Sequence, residues 1–316
     1  MALYLNETEV EGLLPMPDAI GAVEEAFAAL AQKTAVNRPR QRVRMRGGVL
    51  HVMPAAWESR GYFGFKAYSS FGETRFWFWL FETKSGALVS IMSADRLGQR
   101  RTGAASGVAT KYMARADAAT AGILGSGWQA ESQLEAICAV RPVREIRCYS
   151  RDRQHRDTFS ERMSERLGVR VTPVAAPEDA ARGRDIVITA TGTREPVLRG
   201  EWIEPGTHVN AIGANWAHKS EIEESVVTRS AVVAVDSIEQ ARTEAGDLII
   251  PADKGIWQWE KAYELGEVIS GKVAGRTSAS DITLFKSCGI ALEDVAVAAL
   301  VYERALSQHI GTTIRV

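Results

Sequence analysis

The chain has 316 residues, 46% of them apolar, with 38 basic against 39 acidic side chains and a net charge of -1. That length supports one or two domains with a substantial core, and the balanced charge excludes a general nucleic-acid or membrane-surface binder. Three cysteines, Cys138, Cys148 and Cys288, are too few and too scattered for a disulfide framework or a metal cluster, so no metal is expected.

The N-terminal stretch MALYLNETEVEGLL carries acids where a secretory signal needs positive charge, and no apolar run reaches the length of a membrane span. A cytoplasmic protein is expected. Residues 7–32 read as one helix, opened by Glu7 and Glu9, with Ile20, Val23, Phe27 and Leu30 on its apolar face. Next, Arg38, Arg40, Arg42, Arg44 and Arg46 alternate with Pro39, Gln41, Val43 and Met45. The two-residue period of a strand would place all five guanidinium groups on one face. Such a face can simply be solvated. Five stacked like charges repel, however, so at least one is expected to meet an anion such as a substrate carboxylate. Gly47-Gly48 makes a turn, and residues 49–53 return as the second strand of a hairpin.

Residues 64–68 read as another strand, with Lys66 among apolar neighbours, either snorkelling to solvent or placed in a cleft. Residues 75–81 are apolar on both faces, which predicts burial against their own domain and against a partner subunit. A strand at 87–92 completes an antiparallel α+β region. A helix of small residues runs from Arg100 to Met113.

An apolar run at 121–124 then meets Gly125-Ser126-Gly127-Trp128-Gln129-Ala130, followed by a helix carrying Leu134, Ile137 and Cys138 and a strand at 146–149. Strand, glycine turn, helix and strand make the G-x-G-x-x-A form of the dinucleotide-binding fingerprint. Gly125 allows the sharp turn, Gly127 lets the backbone approach a pyrophosphate, and Ala130 keeps the helix close to the sheet, with its N-terminal N–H groups facing the anion. Strands at 169–173, 185–190, 208–213 and 231–236 and a short helix at 177–182 continue a doubly wound order. Its crevice falls at Thr191-Gly192 and at Gly213-Ala214-Asn215. At the tip of the second strand an acid would bind the ribose of NAD. Ser150 and Arg151 stand there instead, which favours NADP(H) over NAD(H). A turn at Gly289 leads into an amphipathic helix expected to pack back on the first domain. Tyr68, Trp216, Trp257 and Trp259 could shape a substrate pocket or simply fill core or interface.

Taken together, Met53-Pro54, Gly64-Phe65-Lys66, Arg101-Thr102 with the small residues after it, the fingerprint, Val209-Asn210-Ala211-Ile212-Gly213 and Thr283-Leu284-Phe285-Lys286-Ser287-Cys288-Gly289-Ile290-Ala291 resemble the ornithine cyclodeaminase/μ-crystallin family. That family also includes an archaeal alanine dehydrogenase. The resemblance covers nearly the whole chain. It implies an α/β homodimer in which a Rossmann-type doubly wound nucleotide domain, residues 117–290, is inserted in an α+β substrate-binding and dimerisation domain, residues 1–116 plus 291–316. It also implies that Lys66 and Arg101 bind the substrate carboxylate together with a hairpin arginine, Arg40 or Arg42 on the same face. Thr102, Gln129, Thr191, Gly192 and Ser287 would contact the cofactor.

One position departs from the family pattern. True cyclodeaminases and the archaeal dehydrogenase carry an aspartate where this chain has Asn215, and an amide cannot take up a proton near neutral pH. The expectation is therefore an NAD(P)H-dependent reductase of α-imino acids, cyclic ketimines such as Δ1-pyrroline-2-carboxylate or Δ1-piperideine-2-carboxylate, with Lys66, Arg101 and Asn215 at the reacting centre. The alternatives are an alanine dehydrogenase-like enzyme or imino-dicarboxylate reductase, an ornithine cyclodeaminase, and a non-catalytic NADPH-binding protein.

Overall fold

The computed structural model describes residues 1–316 and divides into two compact units, Met1–Ala104 with Gly289–Val316, and Ala105–Cys288. In the first unit, strand β1 (Ala2–Leu5) precedes two helices, α1 (Glu7–Leu13) and α2 (Met16–Ala31), where the sequence suggested one. Pro15 explains the break, because the residue before a proline is pushed out of the helical region, and Leu14 sits at φ -126°. Asn6 and Glu9 form a capping box on α1, which fixes its start.

The strands that follow are β2 (Ala35–Asn37), β3 (Gln41–Met45), β4 (Gly48–Trp57), β5 (Tyr62–Ser69), β6 (Phe76–Glu82) and β7 (Leu88–Ser93). The hairpin of β3 and β4 turns at Gly47, whose φ of +96° suits glycine. The five-arginine face does not form: β3 starts at Gln41, so Arg38 and Arg40 precede it, and only Arg42 and Arg44 lie in the strand. Arg40 is buried, Arg42 half-buried, and Arg38, Arg44 and Arg46 exposed. Helix α3 (Asp95–Met113) starts earlier than its small residues suggested, and the division between the units falls inside it, upstream of the 116/117 boundary read from sequence.

The second unit is a Rossmann fold. Its elements are β8 (Thr120–Leu124), α4 (Trp128–Val140), β9 (Glu145–Tyr149), α5 (Arg153–Leu167), β10 (Arg170–Pro173), α6 (Pro177–Ala181), β11 (Ile186–Thr189), β12 (His208–Ala211), α7 (Glu224–Arg229) and β13 (Val232–Val235). After these come α8 (Ile238–Glu244), α9 (Gly246–Asp253), β14 (Ala262–Glu264), α10 (Leu265–Ile269) and β15 (Thr283–Lys286). The sheet is parallel throughout, in the order β10-β9-β8-β11-β12-β15-β13-β14. Its central strands β11, β12, β13 and β15 are buried at every position, as helices on both faces require. Gly125 has φ +117°, and a Cβ there would lie 2.3 Å from the Ala190 carbonyl oxygen, so only glycine fits the turn. Trp257 packs in this unit's core against Trp259, a filling role rather than a pocket wall.

The chain then returns to the first unit with α11 (Ala291–Gln308) and β16 (Thr312–Ile314). That unit's sheet runs β16-β1-β7-β6-β5-β4-β2, with β3 paired to β4, and only the β1–β7 pairing is parallel. Helix α11 packs on α2 and on β4 and β5. No helix is long and apolar enough to cross a membrane.

Candidate functional site

Each unit holds its own cluster of the residues singled out by sequence. In the first unit, antiparallel pairing sets Lys66 of β5 opposite Met53 of β4. Arg40 reaches the same place from the loop before β3, donating Nε–H to Met53 Sδ at 3.3 Å and an Nη2–H to the Gly289 carbonyl at 3.4 Å. Arg101 arrives from α3. Gly289, with φ +72°, makes room for it: a Cβ at 289 would stand 2.2 Å from Arg101 Nη1. Arg40, Lys66 and Arg101 thus converge. Arg42 lies opposite His51 in the β3–β4 ladder, and its charge acts on that ring.

Two acids missing from the sequence expectation complete the cluster. Glu293 and Asp294 are fully buried in the first turn of α11, where the helix dipole favours negative charge. Lys66 Nζ donates to both Asp294 oxygens at 2.8 and 2.9 Å, and Arg101 donates to Glu293 at 2.7 Å and to Asp294 at 3.1 Å. Three cations and two carboxylates carry one net positive charge, which one added carboxylate would neutralise. Lys66 is therefore not a snorkelling residue. Burial lowers its pKa to about 8, helped by Arg101, with Asp294 opposing. His51, also missed, stacks on Tyr68 at 4.3 Å between ring centroids. Burial and the neighbouring Arg40, Arg42 and Arg44 lower its pKa to about 4, so it stays neutral.

In the Rossmann unit a cavity of about 640 Å³ opens at the C-terminal ends of β8, β9 and β11. Gly125, Ser126, Gly127, Ser150, Arg151, Asp152, His155, Thr191, Gly192 and Thr193 line it. Gly127 caps α4, and a Cβ there would meet nothing within 4 Å, so the approach to the helix N-terminus is open. That open glycine at the N-terminus of a helix, where the helix dipole favours negative charge, fits a dinucleotide pyrophosphate. The Asp152 carboxylate caps α5 by accepting the His155 N–H at 2.7 Å, and the His155 ring meets Ser126 Oγ at 2.8 Å.

Other expected cofactor residues fall outside this lining. Ala130 is buried in α4 and Gln129 is half-buried beside it. The Thr102 hydroxyl donates to the Gly98 carbonyl one turn back in α3, and the Ser287 hydroxyl donates to Asp236 at 3.0 Å. Asn215 lies in the turn after β12, half-buried. Sequence reasoning also missed Glu221 and Asp247 in this unit, and it gave no role to Lys286 within its motif. Lys286 and Asp247 form an ion pair at 2.9 Å with no exposure on either side. Burial opposes the Lys286 charge, yet Asp247, Cys288 and Glu221 together hold its pKa above the usual lysine value.

Residues 2–309 match the family described as "Ornithine cyclodeaminase/mu-crystallin family". Among solved structures, the chain resembles the Δ1-pyrroline-2-carboxylate reductase of Thermococcus litoralis in complex with NADH and L-proline. The TM-score is 0.95, identity is 36%, and 99% of this chain and 100% of that one are covered. An archaeal alanine dehydrogenase dimer with bound NAD superposes with a TM-score of 0.93 at 36% identity, covering 99% of each chain. A Δ1-pyrroline-2-carboxylate reductase of Bacillus cereus is 38% identical over 236 residues, 74% of this chain and 72% of that protein.

Proposed function

This chain belongs to the ornithine cyclodeaminase/mu-crystallin family, and from that premise we propose that it reduces α-imino acids with a nicotinamide cofactor. The substrate class is the cyclic ketimines, Δ1-pyrroline-2-carboxylate or Δ1-piperideine-2-carboxylate. The observation that carries this reading is the buried Arg40–Lys66–Arg101 cluster with its one net positive charge. Δ1-Pyrroline-2-carboxylate reductases among its relatives support the same choice.

When bound, the nicotinamide supplies the hydride that the imine carbon takes up. Arg40, Lys66 and Arg101 hold the carboxylate and so fix the position of the adjacent imine carbon. Lys66, with its pKa lowered to about 8, holds a proton near neutral pH and can release it to the imine nitrogen, giving the amine. Asn215 supplies an amide where deamination with ring closure calls for repeated proton transfers, so it suits reduction of a preformed imine and not cyclodeamination. Incubating the protein with each ketimine and NADPH or NADH, and following the loss of reduced-nicotinamide absorbance, tests this. Turnover of no α-imino acid would end it.

The cofactor preference proposed is NADP(H). Ser150 and Arg151 line the cavity beyond β9, and the Asp152 carboxylate is engaged in capping α5. A lower KM for NADPH than for NADH is expected, and a clear preference for NADH would discard the assignment. The two superposed relatives hold NADH and NAD.

A second reading, an amino-acid dehydrogenase, is favoured by the likeness to the archaeal alanine dehydrogenase. Ammonium dependence separates the two, because a reductase given preformed imine needs none. The assembly proposed is a homodimer: Phe63, Phe65, Trp79 and Phe81 form a half-buried stacked strip beside a groove lined by Val36 and Pro54. Light scattering showing a monomer at micromolar concentration would contradict it.

A further inference from the structure

Glu221 belongs to no motif, lies on the segment before α7, and is fully buried. Its Oε1 accepts the Thr191 N–H at 2.6 Å and the Thr191 hydroxyl at 2.7 Å. Its Oε2 accepts the Gly213 N–H at 2.5 Å, the Ala214 N–H at 3.1 Å and the Thr189 hydroxyl at 3.2 Å. Five donors converge on two oxygens, an arrangement that an acceptor-only carboxylate meets and no other side chain of this size can.

The carboxylate is itself held from behind. Asp247 Oδ1 accepts the Glu221 N–H at 2.6 Å, the Ile222 N–H at 3.2 Å and the Ser220 hydroxyl at 2.9 Å. Lys286, paired with Asp247, donates to the Ala214 carbonyl at 2.6 Å and the Ala211 carbonyl at 3.3 Å. The turn after β12 is thus gripped by its N–H groups through Glu221 and by its carbonyls through Lys286. Gly213 shows how close the two loops come. A Cβ there would lie 2.2 Å from the Thr191 carbonyl oxygen and 2.5 Å from Glu221 Oε1.

We propose that Glu221 is a positioning residue: it locks the loop after β11, Thr191–Gly192, to the Gly213–Asn215 turn, so that both are set before the dinucleotide arrives. This rests on the reading that Thr191–Thr193 contact the cofactor, whose cavity they line. Glycine-bearing loops left free would have to be ordered by the ligand, at the expense of affinity.

The experiment compares the parent protein with Glu221→Gln and Glu221→Asp. The glutamine keeps the shape but turns one acceptor into a donor aimed at N–H or O–H groups. NADPH and NADH are titrated by fluorescence at a temperature where circular dichroism finds each variant folded. Glu221→Gln is expected to raise the cofactor Kd by about tenfold or more, while kcat at saturating cofactor falls by less than about fivefold. Glu221→Asp should fall between it and the parent. A glutamine variant with the parent Kd would overturn the proposal, since a merely structural role moves the melting temperature and leaves Kd unchanged.

If the glutamine variant does not fold, hydrogen exchange on the parent protein decides. The Thr191, Gly213 and Ala214 amides should be protected before cofactor is added, and free exchange there would overturn the proposal. A parent protein that bound neither dinucleotide, with those amides protected, would overturn the cofactor reading instead and leave the loop lock standing.

Discussion

Replacing Lys66 with methionine removes a buried ammonium while keeping most of the side chain's length. In the parent, Lys66 Nζ meets both Asp294 oxygens within 2.9 Å; afterwards Asp294 keeps only the Arg101 Nε–H at 3.1 Å. Breaking one side of a buried pair costs about 3–5 kcal/mol, and the remaining arginine places this case near the lower end, about 3 kcal/mol. A substrate carboxylate that loses one desolvated cation forfeits about 2–5 kcal/mol, so kcat/KM should fall by about 30-fold to a few thousand-fold. Two assays separate the effects: thermal melting, and NADPH oxidation with Δ1-pyrroline-2-carboxylate. The double variant Lys66→Met, Asp294→Asn removes both charges of the pair. It should regain most of the lost stability, because no buried charge is left without its partner, yet regain none of the activity. A single Lys66→Met variant with kcat/KM within about threefold of the parent would refute the reasoning, because the lysine would then not touch the substrate.

Two further outcomes follow from the same cluster. With the Lys66 pKa lowered to about 8, kcat/KM should decline as pH rises through about 8, and that limb should vanish in Lys66→Met. For stability the sign is reversed: between about 8 and the ordinary value of 10.5 the unfolded chain binds more protons at this lysine, so stability rises with pH across that window. Gly289→Ala places a Cβ against Arg101 and a side chain at φ +72°; it should cost about 1–2 kcal/mol for the backbone alone and raise KM for the imino acid while sparing KM for the cofactor.

How much was legible in the chain depended on where the physics was local. The β8–α4–β9 unit was readable because two glycines, an apolar run and a helical period lie within thirty residues, and the turn at Gly125 admits nothing else. Helix α5 shows no apolar stripe in the sequence, because Phe159 and Met163 are its only buried large apolar residues and most of the others are charged or polar. Strand β15 lies inside a motif of the resemblance, but nothing local marks it as a strand, since only the tertiary order inserts it between β12 and β13. The arginine ladder failed at Pro39, which stands just before β3 and leaves Arg40 free to turn inward.

Lys66 could be weighed either way until its partner was known, and that partner lies 228 residues downstream. Glu293 and Asp294 at a helix start look like ordinary dipole-complementing acids, and no local pattern tells that they are buried. Glu221 and Asp247 were invisible for the same reason. Their donors come from loops brought together only by the sheet.

The measurement that tests the central claim most directly is steady-state turnover of Δ1-pyrroline-2-carboxylate and Δ1-piperideine-2-carboxylate with reduced nicotinamide cofactor, run with and without ammonium. The account predicts stoichiometric cofactor oxidation and formation of proline or pipecolate, unaffected by ammonium. Tight cofactor binding with no oxidation on any imino acid, or activity on oxo acids only when ammonium is present, would contradict it.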